Sequence, residues 1–341
     1  MKLHIHSLLP ATVLALAASG VISAAETVTN VGSIDQIDQF YSKIYLPAKD
    51  SHTTVKYDSI KSAGVQIRTQ LRGDSSLSIE IGSIDAGDKN VYIEPDAGDI
   101  TLGDVHCSVI HASTKKGNIT LTGNIYASAP DGSVITVAAD ASTPSGSIII
   151  DGATLTNVTL QNYGWNESYN IIPIGAIEIS GDTTLSGVCM QAGSVEVTDG
   201  ANLTLEDVAF SARNAANQGE PAESSLVLGD NVTLTLSGDT PLAVKELTIG
   251  EGVNIIINLS EEAFADLGGS TFDVFSVTEG DVDLSSVNFT FTDGEQSVNA
   301  TVSANGGSIT VTNSNSTVPE PATATLSLLA LAALAARRRR K

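Results

Sequence analysis

Basic residues are scarce in this chain. The 341 residues include 17 Lys and Arg against 39 Asp and Glu. Six of these basic residues and one acidic residue lie outside residues 26–317, so that part carries 11 basic and 38 acidic residues and a net charge of −27. Such a surface repels nucleic acid and anionic lipid and attracts cations or basic partners. We therefore expect no nucleic-acid partner, and the three Arg residues of this part are too few to bind an acidic polysaccharide.

Cysteine is also rare, and the familiar catalytic motifs are missing. Cys107 and Cys189 are the only two cysteines, which rules out the ligand spacing of a zinc site. Either the two cysteines form a disulfide, or both are free buried thiols, and the sequence is compatible with both alternatives. The sequence contains no G-x-S-x-G, H-E-x-x-H, Walker A or dinucleotide-binding glycine motif. We predict no catalytic residues, and hence a protein that is not an enzyme.

The first 25 residues have the features of a secretory signal peptide. Lys2 lies in a weakly basic start, an apolar stretch follows over residues 8–22, and small residues occupy positions 23–25. This pattern predicts cleavage between Ala25 and Glu26, and therefore export.

The C-terminus has three consecutive parts. Val318, Pro319, Glu320 and Pro321 come first, then an uncharged apolar stretch over residues 322–336. The chain ends in five basic residues, which are Arg337, Arg338, Arg339, Arg340 and Lys341. A helix over the apolar stretch covers roughly 22 Å of a ~30 Å hydrocarbon core, so we predict a short transmembrane segment there. The basic residues should remain on the cytoplasmic side.

This order of parts closely resembles the PEP-CTERM sorting signal. The resemblance implies that an exosortase-type membrane peptidase cuts near residues 319–321, after the tail has held the protein transiently in the inner membrane. It also implies a final place at the cell envelope, the outer surface or the extracellular matrix. The tail covers residues 318–341 of 341, so it implies a destination and leaves the role of the remaining chain open.

The sequence predicts an all-β fold between the two terminal segments. From about residue 77, short stretches of Val, Ile and Leu alternate with polar residues and are separated by Gly, Asp and Asn. A repeat recurs with equivalent positions at Gly152, Asp182, Gly200, Asn231 and Gly252. We interpret each short interval between these equivalent positions as one turn of a solenoid. Each long interval is a turn with an inserted loop, at residues 157–175 and 206–224.

We therefore predict a right-handed parallel β-helix over residues 73–258, similar in pattern to the repeats of autotransporters and adhesins. A β-sandwich, in which Asp-Gly turns close hairpins, is the alternative. Residues 26–72 are predicted as an N-terminal cap with an amphipathic helix over 33–45, because Ser33 and Gln36 form a capping box. Residues 259–312 are predicted as a C-terminal β cap with a hairpin, and residues 313–317 as a linker.

Three groups of residues are candidates for binding. Asp85, Asp88, Asp96 and Asp99 repeat an Asp-Ala-Gly-Asp sequence and are candidate Ca²⁺ ligands, although the same sequence suits turns. Asp104, His106 and Ser108 share a strand face near His111, which fits a metal or acid–base site but is more typical of a solvated surface. Tyr163, Trp165 and Tyr169 lie in one segment and could stack on sugars or cover a seam of the fold.

Threonine pairs are the last candidate. The spacing of an ice-binding array is found in Thr154, Thr156 and Thr159, and again in Thr233 and Thr235. The sequence indicates, however, that the register of these residues differs from one repeat to the next. We expect a non-enzymatic structural or adhesive protein, with extracellular polysaccharide or surface proteins as partners. A lyase-like carbohydrate-active β-helix enzyme and an ice- or glycan-binding module are the alternatives.

Overall fold

The computed structural model describes residues 27–35, 40–45, 52–70, 76–129, 131–138, 146–165, 171–210, 224–237 and 241–314. Within these residues the chain is almost entirely β, with one short helix. Both terminal segments of the sequence, including the cleavage position at Ala25 and Glu26 and the tail from Val318 to Lys341, lie outside the described residues.

The elements follow one another in this order: β1 (Thr27–Asp35), β2 (Phe40–Tyr45), β3 (His52–Lys61), β4 (Val65–Gln70), β5 (Ser76–Asp85), β6 (Val91–Glu94), β7 (Ile100–Cys107), β8 (Ile110–Thr114), β9 (Ile119–Leu121), β10 (Ile125–Ala127), β11 (Val134–Ala138), β12 (Ile148–Asp151), β13 (Thr154–Thr156), β14 (Thr159–Trp165), β15 (Ile171–Pro173), β16 (Ala176–Ser180), β17 (Asp182–Ser186), β18 (Cys189–Gln191), β19 (Ser194–Val197), β20 (Asn202–Glu206), β21 (Ala209–Phe210), β22 (Ser225–Leu228), β23 (Thr233–Ser237), β24 (Leu242–Val244), β25 (Leu247–Ile249), β26 (Asn254–Asn258), α1 (Glu261–Ala265), β27 (Thr271–Asp273), β28 (Phe275–Val277), β29 (Asn288–Thr292), β30 (Ser297–Asn305) and β31 (Ser308–Ser314).

These strands stack in parallel rows. One row runs β1-β3-β5-β7-β9-β12-β16-β19-β22-β25, and a second runs β10-β13-β17-β20-β23-β26-β29 within the same 20-stranded sheet. A third row, β2-β4-β6-β8-β11-β14-β18-β21, forms most of a nine-stranded sheet. From β9 to β23 the chain passes from the first row to the second, then to the third, and back to the first. Before β9 it alternates between the first and third rows. We call the part of the chain from one strand of the first row to the next a layer.

The core consists of apolar side chains that stack from layer to layer. Ile79, Ile100, Ile119, Ile148 and Ile177 are in direct register along the first row, and each is fully buried. Strands form here because alternate residues are β-branched or Leu and point inward, while their neighbours are polar. Each such side chain contributes roughly 1.5–3 kcal/mol when it leaves water. The β class predicted from the period-two pattern is confirmed.

Carboxylates and amides hold the turns of successive layers together. The Asp99 Oδ1 atom accepts a hydrogen bond from the Asn118 backbone N–H at 2.7 Å, and Asn118 Oδ1 accepts one from Ser147 N–H at 2.9 Å. The Asp230 carboxylate does the same for Glu251 N–H at 2.7 Å. These side chains satisfy backbone donors that a turn would otherwise leave unpaired. Many of the acidic residues therefore have a structural role.

The N-terminal helix predicted over residues 33–45 is wrong. Residues 27–35 and 40–45 are strands β1 and β2, and residues 36–39 lie outside the described residues. Strand β1 pairs in parallel with β3, and β2 pairs with β4, so the layers begin in this segment. The spacing of its apolar residues suits a helix, and parallel pairing with the next layer makes the segment a strand instead.

The Asp-Gly turns do not close hairpins, as the sandwich alternative would require. The turn at Gly152 separates β12 from β13, yet β12 pairs with β9 and β16, and β13 pairs with β10 and β17. Residues 157–175, predicted as an inserted loop, include strands β14 and β15, which pair antiparallel. Apart from this pair, the antiparallel pairing in the described residues is confined to β27, β29, β30 and β31.

The C-terminal end contains the elements that its sequence predicts. Ser260 is the N-cap of α1, and its side chain accepts a hydrogen bond from Ala263 N–H. Strands β30 and β31 form the predicted hairpin around residues 306–307. Strand β29 pairs in parallel with β26 on one side and antiparallel with β30 on the other, so β30 covers the last parallel strand of the second row.

The connections between strands differ in length by location. Those from the third row back to the first vary widely, from residues 192–193 to residues 211–224. Those between the first and second rows stay short, as at residues 122–124, 152–153 and 198–201. Insertions in this chain therefore fall mainly along one edge of the stacked rows.

None of the helices in the described part of the chain is long and apolar enough to span a membrane. The segment predicted to do so, residues 322–336, falls beyond the last described residue.

We expect residues 26–317 to fold without the tail. The layers, the covering strand β30 and the core of the described residues all lie within this fragment. The purified fragment should give a β-type circular dichroism spectrum and a single cooperative melt. A spectrum of unfolded chain would contradict the prediction.

Candidate functional site

The predicted calcium ligands are spread along exposed turns. Asp85 lies beside His106, with 3.4 Å between the carboxylate and the ring Nδ1, while Asp88 forms an ion pair with the next residue at 3.1 Å. Asp99 binds the backbone of the following layer, and Asp96 is exposed. Among the described residues, no three or more His, Cys, Asp or Glu form a group that could hold a metal ion. The structure thus does not bring the four aspartates together, and calcium binding stays a prediction.

Asp104 and His106 lie on one outward face of β7, as their alternation predicts, and Ser108 follows the end of that strand. The Asp104 carboxylate accepts a hydrogen bond from the backbone of Asn124 at 2.8 Å. The His106 ring lies against the exposed Tyr126 ring, with 5.5 Å between centroids. This arrangement is that of a solvated surface. His111 lies apart from it on β8, in the nine-stranded sheet.

The aromatic segment is only partly described. Tyr163 and Trp165 belong to β14, and the Tyr163 side chain is half-buried. Tyr169 lies outside the described residues, as do the neighbouring residues 166–168 and 170. A role in sugar binding for these three residues stays a prediction.

The two cysteines, both among the described residues, do not form a disulfide. Cys107 is buried, and its Sγ donates a weak hydrogen bond to the Tyr126 carbonyl at 3.8 Å. Burial disfavours the charged thiolate and raises the pKa of Cys107 to about 12. Cys189 is only half-buried.

We expect Cys107 to resist alkylation in the folded protein. Iodoacetamide reacts with thiolates, and at pH 8 a thiol with a pKa of about 12 is almost entirely protonated. Labelling of Cys107 should therefore be at least ~100-fold slower than in urea-unfolded protein, and should accelerate as the pH rises towards 12. Peptide mass spectrometry after timed labelling measures this rate, and equal rates in the folded and unfolded protein would contradict the burial.

Threonine residues line up between layers, which corrects the irregular register read from the sequence. On the second row of strands, outward-facing residues of successive layers form a first outward row. It contains Thr154, Thr184, Thr204, Thr235, Ile256, Thr290 and Asn299, each directly opposite the next. Thr156, by contrast, is followed in register by Ser186 and then Glu206. Thr159 belongs to β14 in the other sheet.

A second outward row runs beside the first, two residues earlier on each strand. It contains Asp182, Asn202, Thr233, Asn254 and Asn288. The Asn202 amide donates to the Asp182 carboxylate at 2.6 Å. Together the two rows form a surface mainly of hydroxyl and amide groups, interrupted by the apolar Ile256, which we call the Thr–Asn face. Asp182 is its one charged member, and it occupies the end of its row that is farthest from strand β29.

A groove lies at the C-terminal end of the Thr–Asn face. It has a volume of about 670 Å³ and is lined by Asn254, Leu284, Ser285, Val287, Asn288, Phe289, Thr290, Asn299, Ala300, Thr301, Val302 and Ala304. Four of these residues belong to the face, so the two surfaces are continuous. All the lining side chains are uncharged. No local pattern in the sequence predicts this groove, because its walls come from segments that are distant along the chain.

The fold and its surfaces define an acidic, nearly all-β protein built from stacked parallel strands. Its C-terminal residues 317–341 match the family model of the PEP-CTERM protein-sorting motif. The chain therefore carries this sorting motif in its C-terminal residues. The motif implies export, processing by the membrane protein exosortase, and sorting by way of the membrane. No curated protein and no solved structure shows significant similarity to the chain.

Proposed function

We propose that this chain is a non-enzymatic structural protein of the cell surface or extracellular matrix, whose body is a right-handed parallel β-helix. The sorting motif at residues 317–341 supports the exported setting. The rows of parallel strands, which recur in the same order in successive layers, support the β-helix.

One observation carries the structural role. Acidic side chains of successive layers bind the backbone of the layer that follows, as in the pairs Asp99–Asn118, Asp104–Asn124 and Asp230–Glu251. A carboxylate that accepts a backbone N–H holds two layers in register. These acids therefore help to support a long, regular body with an exposed acidic surface. Such a body suits an extracellular scaffold.

The alternative is a carbohydrate-active enzyme, and the two roles predict different products. The exported protein should be purified, mixed with extracellular polysaccharide from the cells that make it, and assayed for association and for cleavage. A scaffold co-sediments with the polysaccharide and releases neither reducing ends nor the unsaturated products of a lyase. Steady release of either product, abolished by boiling, would overturn the proposal in favour of an enzyme.

A further inference from the structure

We propose that the Thr–Asn face and its terminal groove bind a neutral polysaccharide, with one end of the glycan chain seated in the groove. The proposal extends the function proposed above, because such a site would attach the scaffold to its matrix. It rests on three features of the described residues: the register of the two rows, the chemistry of the groove, and the charge of the surroundings.

The register gives a grid of hydrogen-bonding groups. Neighbouring strands lie ~4.8 Å apart, and alternate residues on one strand lie ~6.7 Å apart. The spacing between strands is close to the length of one hexose unit in an extended glycan. Thr184, Thr204 and Thr235 each stand in register with the next and are partly exposed. A glycan laid across the strands would meet these hydroxyls one strand at a time, and would pass the apolar Ile256 before it reaches Thr290 in the groove.

The groove supplies donors and acceptors over an apolar floor. The Thr290 hydroxyl lies 2.9 Å from Asn299 Oδ1 and 3.4 Å from Asn254 Oδ1. Both amide oxygens thus face the Thr290 hydroxyl, which leaves the two side-chain NH₂ groups to donate to a ligand. Ala300 and Val302, which are only partly buried, lie among the lining residues and offer apolar surface to the C–H face of a sugar ring. A volume of about 670 Å³ suits a short stretch of glycan.

Charge selects the class of glycan. The groove is uncharged, so it offers no cation to a uronate or sulfate group. The surrounding body has a net charge of −27 over residues 26–317, which repels an acidic polymer. A neutral hexose polymer carries no such penalty, and its hydroxyls are both donors and acceptors.

Affinity electrophoresis tests the proposal with the protein in its exported form. The protein is run in native gels that contain a neutral β-glucan, α-glucan, mannan or galactan, or acidic polygalacturonate. We expect retardation by at least one of the neutral polymers and none by polygalacturonate. The variant Asn254→Asp with Asn299→Asp keeps both acceptor oxygens but replaces the two NH₂ donors with charge, and it should bind at least tenfold more weakly.

The matched control is Asn30→Asp with Asn90→Asp, which adds the same charge on exposed side chains away from the Thr–Asn face. It should be retarded as strongly as the parent protein. The proposal is overturned if no neutral polymer retards the parent, or if both double variants lose binding equally. It is also overturned if the parent binds no glycan but shapes growing ice crystals, since the face would then be an ice-binding surface. Any of these results leaves the scaffold function standing, because that function is tested by association and cleavage of the whole extracellular polysaccharide.

Discussion

Replacing Gly103 with alanine should destabilise the protein by about 3 kcal/mol or more. Gly103 stacks on Gly82 in the layer before, and Gly123 stacks on Gly103 in the layer after. A Cβ atom at position 103 would overlap the backbone carbonyl oxygen of Gly82. Since that oxygen belongs to the backbone, two layers must move apart, and their interlayer hydrogen bonds weaken. Urea unfolding of the exported protein, followed by circular dichroism, measures the loss.

Gly268→Ala is the control for this substitution. Gly268 has no atom near the position of an added Cβ, and its backbone is not in the left-handed region. Its replacement should change the free energy of unfolding by less than about 0.5 kcal/mol, as at other open surface positions. If the two variants were equally stable, the stacked residues Gly82, Gly103 and Gly123 would not set the spacing of the layers.

Replacing Pro319, Glu320 and Pro321 with alanine should trap the full-length protein in the membrane. The two prolines keep the preceding backbone extended, which is the form a peptidase can bind, and three alanines allow it to become helical. The sorting motif spans this sequence. We expect nearly complete loss of the processed form, detected by fractionation with antibodies to residues 26–317 and to a tail tag.

Replacing Arg337–Lys341 with serine should have a different effect. Positive charge resists translocation and holds the end of the apolar stretch in the cytoplasm. Without it, we expect uncut protein to be released or to reach the wrong compartment. Normal processing and export of both variants would show that the tail is not the signal that sorts this protein.

The β class of the fold could be predicted because burial alternates with a period of two, which the sequence displays directly. The register could not be predicted with the same accuracy. Sequence alignment pairs Asp182 with Gly200, whereas the structure pairs Asp182 with Asn202. A slip of two residues keeps every apolar side chain inside, so the pattern of Leu203 and Leu205 cannot reveal it. The error concealed the row of threonines.

The N-terminal strands and the groove were missed for related reasons. Phe40 pairs with Val65 in the next layer, and only this partner shows that the segment is a strand. The groove unites Asn254 with residues of the C-terminal hairpin such as Asn299. Neither relation is local, and a single sequence shows local patterns only. The tail, by contrast, is recognised from consecutive residues.

Because the connections between rows differ in length, the height of the stacked strands does not follow from the number of residues in the chain. Ten strands stack in the first row, and nine spacings of ~4.8 Å give a height of about 43 Å. Residues 192–193 separate β18 from β19 and residues 211–224 separate β21 from β22, yet in both cases the chain advances by one layer. The number of layers, rather than the number of residues, therefore sets the height of this row.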